Sequence, residues 1–74
     1  MNKEELLKRL GKNIKIERIK KDLTQEKLAE IMNVSQNYIA SIERGRANMS
    51  IAKILELANC LNIDIKKLVD FSPE

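Results

Sequence analysis

Apolar residues recur along most of the chain every three or four positions, the spacing of one face of an α-helix. Leu6, Leu7, Leu10 and Ile14 share such a face, and Arg18 continues it one turn later. This predicts a first helix from Asn2 or Lys3 to about Lys21, with Ile16 and Ile19 off the stripe. Gly11 interrupts it at a cost of ~1 kcal/mol relative to Ala, which close packing of a neighbouring helix would explain. Asp22 and Leu23 connect. Thr24 then caps a second helix whose apolar face holds Leu28, Ala29, Ile31 and Met32. Asn33 marks a tight corner, since Asn tolerates positive φ. Ser35 caps a third helix, and Gly45 is placed to end it.

Later in the chain the same period returns. Ser50 caps a fourth helix to about Leu61, with Ile51, Ile54, Leu55, Leu57, Ala58 and Leu61 on a broad apolar face. Asp64 caps a fifth, from about Ile65 to Asp70. Ile63, Ile65, Leu68, Val69 and Phe71 are many apolar residues for so short an element. Some must close the core, and the rest are available for a dimer seam. Ser72, Pro73 and Glu74 form a tail. The expectation is an all-α, five-helix domain over residues 1–71, with a helix–corner–helix unit at 24–45.

The third helix differs from an ordinary surface helix. Ile39, Ile42 and Glu43 fall on one arc, with Tyr38 at its edge; Gln36, Asn37, Ala40, Ser41 and Arg44 fill the other. That second arc has amides, a hydroxyl, a methyl and a guanidinium, but no acid and no large apolar group. Gln and Asn match adenine bidentately, and a methyl suits thymine. The inward arcs carry two charges. Arg18 on a core-facing stripe needs a partner, and the inward Glu43 is the natural one.

Thr24-Gln25, Leu28-Ala29, Asn33-Val34-Ser35, Ile39, Ile42-Glu43 and Gly45 resemble the helix-turn-helix of the phage repressor and Cro family of transcription regulators, and the likeness runs from about Leu10 to Leu68. Two positions depart from the family pattern. The corner residue, usually Gly, is Asn33, and a frequent Pro before the fourth helix is Met49. The resemblance implies a compact domain of the lambda-repressor type that binds a near-palindromic operator as a homodimer, each third helix in a major groove. It implies base contacts from Gln36, Asn37 and Ser41, flanked by Tyr38 and Arg44. Phosphate contacts are implied for Thr24, Gln25, Ser35, Arg46 and Asn48. Arg18 and Glu43 would form an ion pair tying the first helix to the third, Gln25 would brace Gln36, and Ile65, Leu68 and Phe71 would supply the dimer interface. The segment ERGRANMS, residues 43–50, running into the fourth helix, is similar to controller proteins of restriction-modification systems as well as to small phage or plasmid repressors.

Composition narrows the alternatives. Seventy-four residues make one small domain, marginal alone and helped by dimerisation. The net charge of +3 is uneven: residues 1–22 hold eight Lys or Arg against four acids, while residues 47–74 hold three against four. A basic amino-terminal helix suits phosphates, and equally a solvated face. Cys60 is the single cysteine and falls beside Lys53 and Glu56, so no intramolecular disulfide forms, in keeping with a cytoplasmic protein. Redox sensing at Cys60 is a remote alternative. No membrane span or signal peptide is visible. With no His, no metal-ligating cluster and no nucleophile–base pair, neither an enzyme nor a cofactor, metal or small-molecule ligand is expected. The other class to weigh is a protein-interaction module, such as an antitoxin, built on the same domain.

Overall fold

Four helices begin and end by the same two devices. The structure, a computed structural model, describes residues 1–72. It contains α1 (Lys3–Lys20), α2 (Gln25–Met32), α3 (Gln36–Glu43) and α4 (Ile51–Cys60), then a 3-10 turn at Ile65–Lys67. Pro73 and Glu74 of the expected tail lie outside the described residues. At each helix start a polar side chain accepts the N–H of the third helical residue. Asn2 Oδ1 takes Glu5 N at 2.8 Å, Thr24 Oγ1 takes Lys27 N at 3.0 Å, and Ser35 and Ser50 Oγ take Tyr38 and Lys53 N at 3.1 Å each. At each end one residue turns left-handed: Asp22, Asn33, Gly45 and Asn62 have φ of 56°, 57°, 76° and 55°. Paired backbone bonds close the turn, as where Asn33 N donates to Glu30 O and Val34 N to Ala29 O.

The expected fifth helix is not there. Only a 3-10 turn forms, with Lys67 N donating to Asp64 O and Leu68 N to Ile65 O, both at 2.9 Å. So short a segment gains too few hydrogen bonds to repay helix nucleation, and 3-10 geometry suffices to swing Leu68 inward.

α3 packs against both α1 and α2, while α4 packs against α2 and the turn. Ile14, Leu28, Ile39, Ile42, Leu57, Leu61 and Leu68 are the largest fully buried side chains. Four residues expected on buried faces are instead exposed: Leu6, Ile31, Ile51 and Leu55. Each sits at the border of its stripe, where the neighbouring helix does not reach. Ile16 and Ile19 are exposed as single apolar residues.

Two close approaches fix α3 on α1. A Cβ on Gly11 would collide with Ile42 O and come within 2.8 Å of Glu43 O. A Cβ on Gly45 would lie 2.7 Å from Lys8 Cα. Glycine at position 11 thus lets the two backbones meet. On the other side of α1, Asn13 Nδ2 donates to Leu68 O at 2.9 Å and Asp70 O at 3.0 Å, stapling down the carboxy-terminal segment.

Candidate nucleic-acid interface

The outer surface of α3 is built from its amino terminus. Gln36, Asn37 and Arg44 are exposed; Tyr38, Ala40 and Ser41 are half-buried. Ser41, expected among the outward residues, is therefore partly covered. Thr24 and Ser35 stand exposed at the starts of α2 and α3. Their oxygens accept the capping bonds, and each hydroxyl keeps a proton to donate. The N–H groups of Gln25 and Glu26, and of Gln36 and Asn37, have no acceptor within their own helices. The two helix starts thus offer unpaired donors and positive dipole ends, which suit phosphate oxygens.

Beyond α3 the loop alternates. Ala47 and Met49 are partly buried against the core, and Arg46 and Asn48, alternating with them, are exposed. Arg46 N donates to Ser41 O and Gly45 N to Ile42 O, both at 3.0 Å, so the backbone carrying Arg46 is tied to the end of α3.

Beneath this surface lies a buried polar network. Arg18 Nε donates to Glu43 Oε2 at 2.7 Å and Arg18 Nη2 to Glu43 Oε1 at 3.0 Å; Arg18 Nη1 also reaches Leu23 O, at 2.6 Å. The two side chains are 10% and 3% exposed. Gln25 Nε2 joins them, donating to Glu43 Oε1 at 3.1 Å. This corrects the sequence expectation for Gln25: its amide meets Glu43, not Gln36. Periodicity places Gln25 at a helix start and Glu43 on an inward arc, but only the packing of α2 on α3 sets them face to face. The residue that sequence reasoning missed at this surface is thus Glu43 as partner of Gln25. The signal available was the second acceptor oxygen that a single arginine leaves with capacity to spare.

The three residues expected at a dimer interface are split. Leu68 is 0% exposed and belongs to the core of the single chain, so it leaves no surface for a partner. Ile65 and Phe71 are half-buried. The larger unpartnered apolar surface lies on α4, where Ile51 is 69% and Leu55 is 48% exposed, one turn apart.

A groove lined by Arg9, Lys12, Ile16 and Lys66 among others lies on the side of α1 away from Gly11 and α3. Its cations are interleaved with Glu17, Asp64 and Asp70, a mixture that does not select one ligand charge. Cys60 is half-buried, and burial pushes its thiol up, which disfavours the reactive thiolate. Among the described residues no three His, Cys, Asp or Glu side chains converge on a possible metal position, and no helix is long and apolar enough to cross a membrane.

Two short helices set corner to corner, with an acid-free polar face on the second, define a helix-turn-helix protein. Residues 14–68 match the helix-turn-helix family, and the chain belongs to it. It is of the controller and phage-repressor type of DNA-binding regulator, a fold family of regulators rather than of enzymes. The control protein C.SmaI of Serratia marcescens is 37% identical over 60 residues, covering 81% of this chain and 71% of that protein. The immunity repressor protein of Bacillus phage phi105 is 40% identical over 60 residues; the match covers 81% of this chain but only 42% of the repressor. Among solved structures, the restriction-modification controller protein C.AhdI from Aeromonas hydrophila superposes with a TM-score of 0.78 at 35% identity, over 84% of this chain and 94% of that one.

Proposed function

We propose that residues 1–71 form one DNA-binding domain that acts in the cytoplasm as a homodimer on a near-palindromic operator. Each α3 enters a major groove, with half-sites about one helical turn, ~34 Å, apart. The observation that carries this reading is the outer face of α3, where exposed Gln36, Asn37 and Arg44 stand with no acid among them. Gln36 and Asn37 read bases, with Ser41, Tyr38 and Arg44 beside them. Thr24, Gln25, Ser35, Arg46 and Asn48 hold phosphates and set the register. The dimer forms through the outward side of α4, Ile51 and Leu55, continued by Ile65 and Phe71. Ile51 and Leu55 are exposed in the single chain, while Ile65 and Phe71 are half-buried against its core, and the exposed pair supports a second copy as its cover. The relatives' roles in restriction-modification control and phage immunity are both compatible with this mechanism.

The test is a salt titration on a duplex selected by the protein from a random pool, and on a scrambled version. Gln36→Ala should cost ~1–3 kcal/mol on the selected duplex and little on the scrambled one. Arg46→Ala should weaken both and reduce the salt slope by about one. Equal losses for Gln36→Ala on both duplexes would show that α3 does not read a base there. In parallel, Leu55→Lys should sediment as a monomer at concentrations where the wild type is a dimer, with helicity unchanged. A wild type that stays monomeric even on the selected duplex would sink the homodimer.

A further inference from the structure

We propose that the buried Glu43 is a positioning residue for the DNA surface: it locks the amide of Gln25 in one orientation, and thereby sets the contact Gln25 makes with a DNA phosphate. The inference rests on the DNA-binding reading and adds a mechanism to it.

The argument starts from the chemistry of the two groups. A carboxylate only accepts hydrogen bonds, whereas a primary amide has a donor end and an acceptor end. Glu43 Oε1 takes two donors, Arg18 Nη2 at 3.0 Å and Gln25 Nε2 at 3.1 Å. Turning the Gln25 amide over would bring its carbonyl oxygen against that carboxylate, acceptor against acceptor. Only one of the two orientations is therefore compatible with Glu43. Arg18 removes the remaining freedom, because its Nε holds the second oxygen of Glu43 at 2.7 Å and its Nη1 is anchored on Leu23 O. With Glu43 only 3% exposed, water does not compete for the carboxylate.

The consequence reaches the surface. Gln25 is half-buried at the first position of α2, beside the exposed Thr24 hydroxyl and the open N–H groups of the helix start. Its inward N–H is committed to Glu43, so one N–H and the carbonyl oxygen remain for the outside. A phosphate oxygen, acceptor only, can use just that one N–H. The side chain is already ordered before DNA arrives, so binding does not have to immobilise it. Gln36 is exposed, and its side chain makes no hydrogen bond to another of the described residues, so it has no such brace. Phosphate grip is thus preorganised from the core, while the base-reading amide stays adaptable.

The test is a thermodynamic cycle on a mixed-sequence DNA duplex, because a phosphate contact needs no operator. Gln25→Ala should weaken binding about tenfold, the loss of a hydrogen bond to a charged group. The salt slope should not change, since a neutral side chain displaces no counterion. Arg18→Met/Glu43→Leu replaces the pair by apolar groups, an exchange that buried pairs often tolerate. It should show a similar loss, and adding Gln25→Ala to it should cost nothing more. Arg18→Met/Glu43→Gln restores an acceptor oxygen and should regain most of the affinity at equal helicity. A further tenfold loss from Gln25→Ala in the apolar background would overturn the proposal. So would failure of the Glu43→Gln variant to regain affinity.

A measurement on the wild type guards against variants that fail to fold. Nitrogen relaxation of the side-chain amides should show Gln25 rigid and Gln36 mobile without DNA; equal mobility would refute the lock. A wild type with no affinity for any duplex would refute the DNA-binding reading itself. Binding that is strong but indifferent to Gln25→Ala would refute the proposal and leave that reading standing.

Discussion

The two halves of the molecule share one apolar core but differ in what is added to it. On one side, α1 meets α3 through a backbone contact at Gly11 and a buried ion pair, and α2 joins through Gln25. On the other side, α4 and the carboxy-terminal turn pack through Leu57, Ala58, Leu61 and Leu68, all apolar and essentially unexposed. Hydrogen bonds and backbone contacts are directional, so they fix the angle and register of one helix on another. Apolar burial is non-directional and tolerates exchange of similar shapes. The half that orients α3 adds the first kind of contact to the burial of Ile14, Leu28, Ile39 and Ile42. The half that closes the core uses the second and leaves Ile51 and Leu55 uncovered on its outside. Directional contacts are thus placed where they aim α3, and tolerance where only burial is required.

The comparison is broken most severely at the ion pair. Arg18→Ala or Glu43→Ala leaves a charge buried without a partner, which costs ~3–5 kcal/mol. Thermal denaturation should show a large fall in Tm for each, with the double variant losing less than the two combined. Strict additivity would mean that the two groups do not act as a unit.

Gly11→Ala comes next. The added methyl meets backbone carbonyls that cannot rotate away, so the cost should reach about 3 kcal/mol, the upper end for overpacking. On the apolar side, Leu61→Met, a volume-conserving change at a buried site, should cost under ~1.5 kcal/mol. Urea denaturation of both variants sharpens the contrast, and equal costs would erase it.

The smallest effect belongs to the helix ends. Asn33 and Asn62 both sit at positive φ, at 57° and 55°, a conformation that costs ~1–2 kcal/mol for a typical L-residue and less for Asn. Asn33→Gly and Asn62→Gly should each raise stability by up to about 1 kcal/mol, partly offset by the greater freedom of unfolded glycine. One position lies in each half, and a terminus is a local device, so the two gains should be alike. A marked difference would show that the halves impose different strain on the same turn.

The caps at Thr24, Ser35 and Ser50 and the stops at Asn33 and Gly45 were legible in the sequence because each depends on a few adjacent atoms; the Asn2 cap and the left-handed turn at Asp22 were not read there. A Ser, Thr or Asn oxygen three residues from an open N–H forms a cap whatever the rest of the chain does. An Asn after an apolar period marks the left-handed turn in the same way. The inward pointing of Arg18 and Glu43 was equally legible, since helical period fixes a side chain's direction about its own axis. The carboxy-terminal element was misjudged because apolar content over a few residues does not say whether a helix, a turn or an extended segment delivers them to the core.

By itself, then, the sequence determined four of the five helices expected from it, the caps at Thr24, Ser35 and Ser50, the corner between α2 and α3, and an acid-free outer face on α3. All of these follow from interactions within about one helical turn. Only the tertiary structure decided which surfaces meet. It set Gln25 on Glu43 rather than Gln36, drew Leu68 wholly into the core, and left Ile51 and Leu55 outside. The period of a helix gives the direction in which a residue points, but what lies in that direction depends on the crossing of separate helices. That crossing is fixed by contacts between residues far apart in the chain, such as Gly11 against Ile42 and Arg18 against Glu43.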